Sequence, residues 1–115
     1  MLQAIAAGAI AAGLALSPLN LQTHLIGPGH VYGTAEYDYE AGQPQQVDIE
    51  LHNLMPGQRM KVFLHGTLIG TVVADRYGEV DRELHTTTNC RAGQQIRIWY
   101  NHRLVANGTF RVAQD

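Results

Sequence analysis

The 115-residue chain has few of the residues on which common catalytic motifs depend. Ser17 is its only serine, Cys90 its only cysteine and Lys61 its only lysine. A single cysteine excludes an intrachain disulfide, on which small secreted domains usually depend. The sequence also lacks a serine-nucleophile motif, a phosphate-binding loop and a dinucleotide fingerprint. We therefore predict a non-enzymatic protein with no cofactor.

The chain also has no large excess of positive or negative charge. The formal net charge is -2 at pH 7, and no run of like charges occurs. This argues against an electrostatic interaction with nucleic acid. The six histidines lack the paired spacing of a zinc motif, which predicts surface histidines rather than metal ligands.

Two sets of carboxylates are candidates for metal binding or acid–base chemistry. Asp75, Glu79 and Asp81 surround a predicted turn but lack the spacing of a calcium-binding loop. Four others occupy strand positions that we expect to face solvent, where a glycosidase pair would not form: Asp38, Glu40, Asp48 and Glu50. The sequence therefore predicts no catalytic residue and no metal ligand.

One stretch of the chain occurs twice, at residues 56–72 and 92–110. The matched positions include Lys61 with Arg97, Val62 with Ile98, and Phe63 with Trp99. Each copy alternates apolar and polar residues around a central turn, which is typical of a half-buried β-hairpin. In the second copy the hairpin turn falls either at residues 101–102 or at residues 107–108.

Short alternating segments separated by glycine and proline turns continue through residues 30–115. About seven such strands without a second helical pattern predict an all-β, antiparallel sandwich domain. Residues 19–29 contain a Gly-Pro-Gly turn signal and are predicted to be a linker.

The first 18 residues form an uncharged, alanine-rich segment for which we predict a helical arm. Its larger apolar residues do not gather on one side, so such a helix needs burial all round. As a helix, residues 2–16 would reach ~22 Å, short of the ~30 Å membrane interior. Three interpretations stay open: packing against other protein chains, membrane contact through residues 2–16, and an uncleaved leader.

Phe63 and Trp99 occupy the same position of the repeated hairpin, on the face opposite the aliphatic core positions. A large aromatic side chain on an outer sheet face is usually covered, either by a loop of the same domain or by a neighbouring subunit. The predicted assembly interface combines this pair with the arm: Leu2, Ile5, Ile10, Leu14, Leu16, Phe63 and Trp99.

Residues 54–57 (Leu-Met-Pro-Gly), 68–78 and 108–112 (Gly-Thr-Phe-Arg-Val) carry a further likeness. With the strands between them, residues 45–113 resemble immunoglobulin-like β-sandwich modules of phage virion proteins and bacterial surface proteins. Together with the arm, this resemblance implies a structural virion subunit that assembles with copies of itself and with other structural subunits. The alternative is a membrane-anchored pilus, adhesin or carbohydrate-binding module at the cell surface, with Trp99, Tyr100 and Tyr37 stacking on a glycan.

Overall fold

The computed structural model describes residues 19–113, which form one antiparallel β-sheet. Its strands are β1 (Leu19–Ile26), β2 (Tyr32–Tyr39), β3 (Gln45–His52), β4 (Arg59–Leu64), β5 (Thr67–Val73), β6 (Val80–Thr86), β7 (Gln95–Tyr100), β8 (Arg103–Thr109) and β9 (Arg111–Val112). A 3₁₀ turn, Pro28–His30, connects β1 to β2. The prediction of an all-β, antiparallel fold is confirmed. The predicted helical arm at residues 1–18 lies outside the described residues.

The sheet curls until its two ends meet. Its strand order is β5-β4-β7-β8-β1-β2-β3-β6, and β9 pairs with β1. The end strands β5 and β6 lie close together but are not paired by backbone hydrogen bonds. Leu84 of β6 instead packs over Gly70 of β5, where an added Cβ would lie 3.1 Å from the Leu84 side chain. The result is a nearly closed, barrel-like sheet rather than two clearly separate sheets.

The core fills the interior of this curled sheet. Successive residues of a strand point to opposite faces, so alternate side chains of each strand face inwards. Fully buried members include Leu21, Leu25, Val47, Ile49, Leu51, Met60, Val62, Leu64, Ile96 and Ile98. Tyr37 and Phe110 pack edge to face within this core, with ring centroids 6.5 Å apart. The inward positions predicted for the aliphatic residues of β4 and β7 are thereby confirmed.

Strand β1 corrects the prediction of a linker at residues 19–29. Residues 19–26 are a strand that pairs with β2 along its whole length, and with β8 and β9 on its other side. The strand was missed because Leu21 and Leu25, its fully buried residues, are four apart, with the polar Thr23 at the inward position between them. An interval of four breaks the alternation by which strands are recognised.

The repeated segment folds as two hairpins, β4–β5 and β7–β8, which lie side by side through β4 and β7. Val62 pairs with Ile98, the matching residue of the other copy, so an approximate twofold axis relates the hairpins. Each hairpin has a register shift directly after that residue. The second hairpin turns at residues 101–102, since β7 ends at Tyr100 and β8 begins at Arg103. This decides between the two turns that the sequence left open.

Residues 19–113 include no helix with the length and apolar character needed to cross a membrane.

Candidate interaction surface

Two outer faces of the curled sheet carry clusters of charged side chains. The first, here called the basic face, lies on β4 and β7 and comprises Arg59, Lys61, Phe63, Arg97 and Trp99. Lys61 pairs with Trp99 across the two strands, and Phe63 pairs with Arg97. Because the hairpins are related by an approximate twofold axis, each aromatic ring of one copy lies beside a cation of the other. The duplicated sequence thus places two rings and two cations in one crossed arrangement.

An open groove runs along the basic face. Its volume is about 450 Å³, and its walls include Phe63, Trp99, Arg97 and His65. Phe63 and Trp99 are each partly buried, and both line the open groove. The Arg97 guanidinium donates a hydrogen bond to Gln95 Oε1 at 2.6 Å, a neutral partner that leaves its charge uncompensated. The groove therefore offers apolar rings and positive charge together.

The second surface, here called the acidic face, lies on the outer side of β2, β3 and β6. Six of the ten acidic residues of the chain lie here: Glu36, Asp38, Asp48, Glu50, Asp81 and Glu83. Glu36, Asp48 and Glu83 are directly opposite one another across the three strands, and Glu50 is opposite Asp81. Like charges directly opposite each other destabilise a sheet, so this face carries internal repulsion.

Asp48 lies at the centre of that repulsion. Its pKa is raised above the ordinary value by partial burial and then by the charges of Glu83, Asp38 and Glu36. Carboxyl oxygens of Glu36, Asp38 and Asp48 lie within 4.8 Å of one another. The Asn20 amide relieves part of the repulsion, since it donates hydrogen bonds to Asp38 and, at 2.8 Å, to Glu36.

The two faces are not neutralised by each other. Within residues 19–113, the only ion pairs closer than 4.0 Å involve histidine, namely His52–Glu79 at 3.2 Å and His85–Glu83 at 2.9 Å. No lysine or arginine in that part of the chain pairs with a carboxylate. In the strand order of the curled sheet, β4 and β7 lie about halfway round from β2 and β3. The basic and acidic faces therefore lie on opposite sides of the molecule.

The other residues singled out in the sequence have structural roles. Asp75 Oδ1 accepts hydrogen bonds from the backbone N–H groups of Tyr77 and Glu79, at 2.8 and 3.0 Å. This carboxylate stabilises its turn, as expected from the absence of calcium-loop spacing. His52 stacks on Tyr32, with ring centroids 4.9 Å apart. Cys90 is buried, and burial raises the pKa of its thiol to about 11.

Tyr37 is not available for stacking on a glycan. Its side chain is buried in the core against Phe110, and Tyr100 is partly buried against the same core. The expectation of three aromatic platforms was therefore wrong for Tyr37. Of the residues predicted for the assembly interface, Phe63 and Trp99 lie on adjacent strands. Leu2, Ile5, Ile10, Leu14 and Leu16 lie outside the described residues.

The acidic face was the main feature that sequence reasoning missed. Asp38, Asp48 and Glu50 were placed correctly on outward positions, whereas Glu40 lies just beyond β2, in the connection to β3. The signal was present in three segments, each with acidic residues two apart: 36 and 38, 48 and 50, and 81 and 83. Strand pairing brings the three segments together, and pairing cannot be read from any one of them.

No protein-family model matches the chain, and a comparison with curated proteins also finds no match.

Proposed function

We propose that this protein is a non-enzymatic structural subunit of an extracellular assembly, and specifically a virion protein of the phage capsid, decoration or tail-associated kind. The observation that carries the proposal is the aromatic pair Phe63 and Trp99. Both rings are held on adjacent strands of the sheet, and both line a groove that the described chain leaves open. Aromatic residues beside arginine are enriched where protein surfaces meet.

The N-terminal arm is the second element of the proposal. Residues 2–16 carry no charge, and Leu2, Ile5, Ile10, Leu14 and Leu16 supply the larger apolar side chains. Burying such a segment against neighbouring subunits contributes on the order of 10 kcal/mol before the cost of ordering it. In this proposal the sheet gives the subunit its shape, and the arm anchors it.

The sequence resemblance of residues 45–113 to immunoglobulin-like modules of phage virion proteins and bacterial surface proteins agrees with the same proposal. Such modules are antiparallel β domains, and the finer assignment of an immunoglobulin-like sandwich belongs to the proposal as well. The subunit would then reside in the virion, in contact with copies of itself and with other structural subunits.

The mass of the full-length chain in detergent-free solution tests this function. Sedimentation velocity should show an oligomer, and the double variant Ile5→Glu/Ile10→Glu should shift it towards monomer because two charges oppose burial of the arm. Gln3→Glu is the matched control, since it places a charge in the same segment at a position that is already polar. A full-length chain that stays monomeric at all concentrations would reject the proposal. A chain soluble only in detergent would instead indicate a membrane anchor.

A carbohydrate-binding module at the cell surface is the second candidate, and the groove favours it. Trp99, Arg97 and Gln95 combine a ring face with polar hydrogen-bonding groups, as sugar sites do. In a glycan array, Trp99→Ala should abolish binding. Tyr77→Ala removes an exposed ring outside the groove and should leave binding unchanged. Absence of any glycan signal for the unmodified protein would eliminate this candidate.

A further inference from the structure

We propose that copies of this chain associate head to tail, with the acidic face of one copy seated on the basic face of the next. The inference rests on the proposed function in that it specifies how one subunit contacts another. Its evidence is independent of the N-terminal arm, since every residue involved lies within residues 19–113.

The separation of charge within one molecule identifies a second copy as the partner. Lys61 and Arg97 lie on one side of the sheet, and the carboxylate rows lie on the other, with no lysine–carboxylate or arginine–carboxylate pair among the described residues. Each copy therefore carries both halves of a complementary contact. A neighbouring acidic face would neutralise Arg97 beside Phe63, and a neighbouring basic face would relieve the repulsion around Asp48.

The same charges argue against a symmetric dimer through the groove. Two basic faces placed against each other would bring Lys61 and Arg97 of one copy against the same residues of its partner. Like-charge contacts of this kind are a common means of rejecting a wrong partner. The acidic face opposes its own copy for the same reason.

Exposed apolar side chains border both faces and add hydrophobic area to each side of the proposed contact. Leu68 and Val73 lie beside the basic face on β5, and Ile26 and Tyr32 lie at one end of the acidic face. All four are exposed hydrophobic residues. Because the two faces lie on opposite sides of the molecule, the contact is heterologous, and repeating it generates a row of subunits rather than a closed dimer.

Charge reversal in the full-length chain tests the contact. The variant Lys61→Glu/Arg97→Glu leaves Arg59 as the only cation of the basic face and adds two carboxylates there, and Glu50→Lys/Asp81→Lys replaces two of the six carboxylates of the acidic face by lysines. We expect each variant alone to need a concentration about tenfold higher, or more, for half-association, since several exposed ion pairs are lost together. Mixing the two variants should restore association, because the unchanged acidic face of the first variant then meets the unchanged basic face of the second.

Salt and a matched variant complete the experiment. Association of the unmodified chain should weaken from about 0.02 to about 0.5 M NaCl, where exposed charges are screened. Arg76→Glu makes the same kind of charge change in the exposed β5–β6 turn and should leave association unchanged. Circular dichroism establishes that each variant is folded. If a reversed variant does not fold, Lys61→Gln/Arg97→Gln replaces it and should weaken association in the same direction.

The outcomes separate this contact from the anchoring role of the arm. Charge-reversed variants that associate like the unmodified chain, or that do not complement each other on mixing, overturn the head-to-tail contact. Association that requires added Ca²⁺ and not Lys61 or Arg97 also overturns it, because the acidic face would then bind a cation. If Ile5→Glu/Ile10→Glu has no effect while charge reversal disrupts association, the anchoring proposal fails and the contact stands.

Discussion

Neutralising Asp48 should stabilise the protein, because this residue lies between two other carboxylates on the acidic face. Its strand neighbours in the same row are Glu36 on β2 and Glu83 on β6. Among the described residues, no side chain donates a hydrogen bond to it, so Asp48→Asn breaks no recorded interaction. Each like-charge cross-strand pair costs roughly 0.2–1 kcal/mol. Removing two of them should raise the free energy of unfolding by about 1 kcal/mol at low salt.

The pH dependence of this gain follows from the direction of the pKa shift. The pKa of Asp48 is raised in the folded protein, so the charged form is disfavoured there. Below a pH of about 3.8, the ordinary value for this carboxyl, the unmodified protein therefore bears no destabilising charge at Asp48. It loses stability relative to Asp48→Asn as pH rises through the raised pKa of the folded state. The advantage of the variant should be complete at neutral pH and absent at a pH of about 3.

Urea denaturation monitored by tryptophan fluorescence, at low protein concentration, measures the difference. Trp99 is the only tryptophan, so the signal reports one site. Glu40→Gln is the matched control, since it removes one carboxylate charge from the exposed β2–β3 connection, outside the acidic face. The gain for Asp48→Asn should shrink at about 0.5 M NaCl. If both substitutions change stability equally, or if Asp48→Asn destabilises at neutral pH, the account of repulsion between carboxylates is refuted.

Three further predictions concern the sheet and its core. Gly78→Ala should cost more than about 2 kcal/mol of unfolding free energy, because φ is +76° and a Cβ would lie 2.2 Å from the Leu54 carbonyl oxygen. Gly29→Ala is the control: its φ is +71° but the space around it is open, so the same urea denaturation should show a cost of about 1 kcal/mol. Ile98→Ala should cost about 2–5 kcal/mol, since the side chain is fully buried, and a loss below about 1 kcal/mol would contradict close packing there. With a pKa of about 11, roughly one Cys90 thiol in a thousand is ionised at pH 8. Because the thiolate is the reactive form, alkylation by iodoacetamide should be slow in the native protein and fast in urea. Equal rates in the two conditions would refute the burial of Cys90.

Periodicity predicted the fold class because strands such as β4 show the alternation of buried and exposed residues within their own sequence. In β4, Met60, Val62 and Leu64 are two apart and all are buried, as alternation requires. β1 could not be found in this way, because its buried leucines are separated by Gln22, Thr23 and His24. Its strand conformation depends on pairing with β2, which is a long-range contact. The curling of all strands into one nearly closed sheet likewise depends on how distant strands pair.

The candidate surface was predictable to the extent that it depends on the repeat. Phe63 and Trp99 were assigned to one outer face from their matching positions, and the structure places them on paired strands. The crossed placement of Lys61 and Arg97 could be predicted only from the register of β4 against β7, which the sequence alone does not reveal. The acidic face required the register of three strands. Local alternation therefore predicts which way a residue points, whereas its neighbours are known only once the strands are paired.

The junction where Leu84 of β6 packs over Gly70 of β5 has a dynamic consequence. Everywhere else around the sheet, neighbouring strands are joined by backbone hydrogen bonds, whereas this junction is held by side chains. Local opening is easiest where few backbone hydrogen bonds must break. In native-state hydrogen exchange, edge amides of β5 and β6 should therefore exchange first, while those of β2, which is paired with β1 on one side and with β3 on the other along nearly its whole length, exchange last. Local opening is therefore expected mainly at the β5–β6 junction, where the basic face on β4 and β7 comes nearest to the acidic face on β6.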